Sequence, residues 1–96
     1  MKFFIIEGTL KTDKIDDALM QEHINYTNTQ IEKGLIFLSS LKADMSGGLF
    51  IMKGNCIEDI HKYLEKEPFY KAGVQEYTVT EFTPHYINSQ SSDWFH

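Results

Sequence analysis

The sequence has a single cysteine, Cys56, so no disulfide can form within the chain. That usage suits a reducing compartment such as the cytoplasm. There is no run of Lys or Arg, and the net charge is −5. Nucleic acid and anionic membrane surfaces are therefore not expected as partners. No stretch approaches the roughly 20 apolar residues of a membrane span. The apolar run Phe3-Phe4-Ile5-Ile6 is too short, and too soon broken by Glu7, for a secretory signal. No Gly-rich loop is followed by Lys-Ser or Lys-Thr, no Ser-His-acid set has a nucleophile elbow, and the histidines and Cys56 show none of the close spacings of zinc sites. Neither a metal nor a cofactor is expected.

At 96 residues the chain is one domain, and a chain of this size buries only about 60–65% of its unfolded surface. Lys2 to Leu10 reads as a strand, with Phe3 and Ile5 on one face and Phe4 and Ile6 on the other. Gly8 interrupts it, as a bulge or a point of close packing. Thr12 or Asp13 can cap a helix that runs to about Lys33, with Gly34 as its stop. Leu35 to Ala43 and Leu49 to Lys53 read as strands joined by a turn at Asp44-Met45-Ser46-Gly47-Gly48. Asn55 can cap a second helix, striped by Ile57, Ile60, His61 and Leu64, and Pro68 stops it. Val74 to Thr83 forms a more polar last strand, suited to an edge, and Pro84 ends it.

Strand, helix, strand, strand, helix, strand is the ferredoxin-like βαββαβ order: an α+β fold with a four-stranded antiparallel sheet and both helices on one face. Three strands are apolar on both faces, yet the helices cover only one. A second copy packed sheet on sheet is the simplest cover, so a homodimer through the sheet face is expected. Residues 1–84 form the core, and the tail 85–96, with its Trp94-Phe95 pair, is expected to fold back on the core or the partner.

Two stretches carry candidate chemistry. His23 falls near the middle of the apolar arc of the first helix. Glu67 precedes Pro68, which pushes it out of the helical region and into a loop. A half-buried histidine beside a carboxylate can move a proton near neutral pH, the carboxylate orienting the ring. The residues alone leave a second reading open: a core histidine bonded to backbone, and a helix-end surface charge. Tyr26, one turn after His23, Ser40 on the second strand, and His85 after Pro84 are candidate substrate-binding residues. Each also reads as structural: a half-buried tyrosine, a strand end, a surface histidine.

With these residues placed, the chain resembles the YciI-like (YCII-related) family over nearly its whole length. The resemblance rests on the strand order, on Glu22-His23-Ile24-Asn25-Tyr26, and above all on Glu67-Pro68-Phe69-Tyr70-Lys71-Ala72-Gly73-Val74, where the family carries Asp-Pro-Tyr/Phe and then Ala-Gly. Glu81-Phe82-Thr83-Pro84-His85 and the late Trp94-Phe95 resemble a subgroup. The resemblance implies a dimeric α+β barrel with a cleft on each subunit and a His-Asp dyad, matched here by His23 and Glu67. Glutamate for aspartate, and Ser39-Ser40 where members often show Gly-Pro, are departures. What it implies for function is a cofactor-free lyase or isomerase acting on a small cyclic or acidic organic compound; the alternative is a non-catalytic small-ligand-binding or regulatory dimer.

Overall fold

Strand β1 (Lys2–Leu10) lies inside a four-stranded antiparallel sheet of order β2-β3-β1-β4, with β2 spanning Ile36–Leu41, β3 Gly48–Gly54 and β4 Gln75–Phe82. The computed structural model describes residues 1–95; His96, the last residue of the expected tail, lies outside the described residues. Helix α1 (Asp17–Glu32) connects β1 to β2, and α2 (Ile57–Glu65) with a short α3 (Pro68–Lys71) connects β3 to β4. The expected α+β, ferredoxin-like order is what the chain adopts, with β4 at an edge.

Register explains the core. Phe4 pairs with Met52, and Ile6 with Phe50 and Val79, so these side chains share one face. Phe4, Ile6, Ile36, Phe50 and Met52 are buried there against Ile60, Tyr63 and Leu64 of α2. The opposite face carries Phe3, Ile5, Leu38, Leu49, Ile51 and Phe82, all half-buried in the single chain. A bulge between Ile36 and Leu38 turns Phe37 outward, and it stays exposed.

Helix boundaries differ from the sequence expectation in instructive ways. α1 begins later, capped by Asp16, whose Oδ1 accepts the Leu19 N–H at 2.8 Å, rather than by Thr12 or Asp13. Gly34, at φ 76°, ends it in the left-handed region that other residues enter at a cost. α1 buries none of its residues, and Met20, Ile24 and Ile31 are exposed. The apolar arc on which His23 sits is therefore half-covered, not packed into the sheet. Cys56, not Asn55, takes the cap position of α2 without a side-chain cap bond. Pro68 both keeps Glu67 out of α2 and starts α3, its missing N–H falling where no helical partner exists.

The tail after Pro84 includes a 3₁₀ turn at Ser91–Asp93. Tyr86, Ile87, Trp94 and Phe95 keep most of their surface open. Some of them form one wall of a cavity of about 970 Å³ whose other side is built by residues such as Phe3, Phe37 and Phe82.

Candidate active site

The two stretches singled out in the sequence meet. His23 Nδ1 lies 2.5 Å from Glu67 Oε1, across 44 residues of chain. Backbone geometry makes this contact. Glu67 is extended at φ −69°, ψ 129°, and caps α3, its Oε2 accepting the Tyr70 N–H at 3.2 Å. The side chain does not project freely from its loop: it is 1% exposed, whereas the His23 side chain is 23% exposed. The imidazole thus forms the rim of the pair and the carboxylate its buried end. Phe69, on α3, stacks on the imidazole with ring centroids 3.8 Å apart and planes 3° from parallel.

Glu67 holds further partners that the sequence reading missed. Tyr77 donates its hydroxyl to Glu67 Oε2 at 2.5 Å. Gln75 Nε2 donates to the Tyr77 oxygen at 2.8 Å, and Gln75 Oε1 accepts the Gly48 N–H at 2.9 Å. Gln75 is itself buried. Leu10 N–H donates to the Ser46 carbonyl at 2.8 Å, which draws the hairpin turn against the end of β1 and sets Gly48 beside Gln75. The available signal was the alternation of β4: Gln75 and Tyr77 share a face with Val79, so two polar groups stand on the core side of a strand.

Burial pushes the Glu67 carboxyl up. The hydrogen bonds from His23 and Tyr77 and the charge of His23 outweigh it and hold the group below the usual carboxylate range. Burial, and then the Glu67 carboxylate it donates to, push the Tyr77 hydroxyl far up, so it stays protonated and a donor. An ionised carboxylate can only accept, so Nδ1 of His23 carries a proton, and in the neutral form of the ring the lone pair falls on Nε2.

His23 borders a cavity of about 360 Å³ between α1 and the β2–β3 edge. Leu10, Ile15, Met20, Ile24 and Leu41 supply its apolar wall; Ser39, Ser40, Gly48 and Gln75 supply polar atoms. Among the described residues that line it, His23 is the only titratable one. Ser40 therefore shares the cavity with His23, although its hydroxyl donates to the Leu49 carbonyl at 2.7 Å. Tyr26 does not line it. Its hydroxyl donates to the Tyr63 carbonyl at 2.8 Å and its ring stacks on Tyr63 at 4.8 Å, which fixes α1 on α2. His85 does not line it either; it is exposed past the end of β4, near the Tyr86 ring.

The family model of the YCII-related domain matches residues 1–83. No curated protein matches the chain. Nine chains of solved structures do. One is 5-chloro-2-hydroxyhydroquinone dehydrochlorinase from Burkholderia phenoliruptrix, in complex with 2,5-dihydroxybenzoquinone. It is 23% identical, with a TM-score of 0.62 over 84% of this chain and 93% of that one. At that identity the likeness is one of fold.

Proposed function

This chain belongs to the YCII-related domain family, and from that premise we propose that it is a cofactor-free enzyme of the lyase or isomerase type, in which His23 moves a proton on a small cyclic organic compound. The observation that carries the reading is the His23–Glu67 pair at 2.5 Å, set at the edge of an open cavity. In this reading Nε2 of His23 takes a proton from an acidic O–H or C–H of the ligand. The electron pair so released expels a leaving group or shifts a double bond. Glu67 stabilises the imidazolium that forms and returns it to its starting tautomer. Ser40, with Ser39, borders the ligand.

The wall favours a neutral ring over an acidic compound, since among the described residues no lysine lines the cavity to meet a carboxylate. The chemistry named for the solved neighbour, removal of chloride from a hydroxylated ring, is of this class. The assembly we propose is a homodimer through the bare sheet face, supported by the six apolar side chains left half-covered there. No helix among the described residues is long and apolar enough to cross a membrane, and with the lone cysteine this supports placement in the cytoplasm.

The test is chloride release or double-bond isomerisation, followed by ion chromatography and absorbance, over a panel of chlorinated and hydroxylated quinols. Wild type should turn over at least one compound, and His23→Gln should not. Equal turnover by both proteins would sink the reading.

A further inference from the structure

We propose that Tyr77 and Gln75 are positioning residues that set the tautomer of His23 from the far side of Glu67, with the Gly48 backbone amide as the fixed end of the chain. The proposal rests on the reading of His23 as a base and adds what holds it in that state.

The argument follows the direction of each hydrogen bond. A backbone N–H can only donate, so Gln75 must present Oε1 to Gly48. This fixes the amide and leaves Nε2, a group that can only donate, facing the Tyr77 oxygen at 2.8 Å. Tyr77 then accepts from Gln75, and its single proton goes to Glu67 Oε2 at 2.5 Å. With the Tyr70 N–H on the same oxygen at 3.2 Å, Oε2 holds two donors and Oε1 is left for His23. Every link has one allowed polarity, and the chain ends with the proton on Nδ1 and the lone pair on Nε2. Reversing any link would place two donors or two acceptors face to face in a site where Gln75 and Glu67 are both almost fully buried.

Two sequence features serve the same chain. Gly8 on β1 pairs with Tyr77, and a Cβ there would run into the Gln75 carboxamide, so the absent side chain is the space the amide occupies. The Tyr77 ring meets the Phe50 ring edge-on at 5.8 Å, which holds the hydroxyl over Glu67 without using it. Tyr77 touches no atom of the cavity that His23 lines, so its effect on chemistry runs through Glu67 alone.

The experiment uses Tyr77→Phe, which keeps the ring, and Gln75→Met, which keeps the length but removes the amide. The ¹⁵N resonances of the His23 ring report the tautomer, and the ¹³C resonance of the Glu67 carboxyl reports its titration midpoint. In Tyr77→Phe the midpoint of Glu67 should rise, since a donor to the ionised form is lost, and His23 should leave the single Nδ1–H tautomer for a mixture. Gln75→Met should move both signals the same way by less. Where a turnover assay exists, kcat of Tyr77→Phe should fall about 10–100-fold with KM little changed, the range found when a partner behind a metal-bound histidine is lost. Unmoved Glu67 and His23 signals in a folded Tyr77→Phe protein would overturn the proposal. The resonance shifts need no substrate. If they appear while no compound is turned over, it is the enzymatic reading of His23 that has failed, not the relay.

Discussion

The rings of His23 and Phe69 lie flat on one another, 3.8 Å apart and within 3° of parallel. Two elements far apart in sequence thereby fix the plane of a single imidazole. The Glu67 bond sets where Nδ1 points, and the stack sets the rotation of the ring about that bond. Phe69→Leu should leave the His23–Glu67 hydrogen bond in place and free the ring to tilt. Phe69 is buried, so the loss in stability should be about 1–3 kcal/mol, less than the roughly 3–5 of a truncation to alanine. Urea unfolding measures the stability, and broadening of the His23 ring resonances shows the added motion.

Replacing His23, the proposed base, is the most direct intervention. His23→Gln can still donate to Glu67, so the fold should survive, with an unchanged circular dichroism spectrum. Turnover of any substrate found should fall about 10²–10⁴-fold, the usual contribution of a positioned acid–base group. A drop under threefold would show that the ring only packs.

The stability of the protein should depend on pH through Glu67. Its folded carboxyl titrates below its unfolded counterpart, so the unfolded state binds a proton first on acidification. The stabilisation is complete above the unfolded value, about 4.3, and is lost as pH falls through the folded one. Thermal melts of wild type from about pH 7 to about pH 3 should decline more steeply than those of Glu67→Gln. At neutral pH the same variant should be less stable by about 1–3 kcal/mol, because a buried carboxylate with three donors, His23, Tyr77 and the Tyr70 amide, becomes an amide with one accepting oxygen. Parallel melting curves would remove Glu67 from the acid response.

Gly8→Ala tests the space beside Gln75. A methyl group there overlaps the carboxamide, which must leave Gly48 and Tyr77 or push β1 aside. The expected cost is about 1–3 kcal/mol. Gly34→Ala makes a useful contrast: nothing lies within 4 Å of its would-be Cβ, so any loss comes from the φ of 76° alone and should be near 1 kcal/mol.

A charge on the bare sheet face tests the assembly. Ile5 and Ile51 are cross-strand partners on that face. Wild type should sediment as a dimer at micromolar concentration, and Ile5→Lys with Ile51→Lys as a monomer that keeps its fold. A monomeric wild type would remove the homodimer.

The strand order was legible because each strand is bounded by residues with few options: Gly34, the Gly47-Gly48 pair, Pro84. The meeting of His23 and Glu67 came from local patterns plus the family resemblance; proline chemistry alone explains why Glu67 leaves its helix, but not that it turns inward to cap α3. Tyr77 and Gln75 escaped because alternation along an edge strand marks a face without revealing which polar groups on it meet a carboxylate from another loop. Tyr26 shows the reverse error. Its helical position sits close to that of His23, yet its ring stacks on Tyr63 and its hydroxyl donates to the Tyr63 carbonyl instead.

Helix α1 buries no residue of its own, although it carries His23 at the rim of the cavity. Its stability rests on edges: the Tyr26 bond and stack, the His23 bond, and the Asp16 cap. A ring-shaped ligand seated against Met20, Ile24 and Leu41 would supply the apolar underside that the helix lacks. Occupancy and helix order would then be one equilibrium. Amide hydrogens along α1 would exchange quickly in the free protein and slow on binding, which turns the helix into a built-in gauge for finding the ligand.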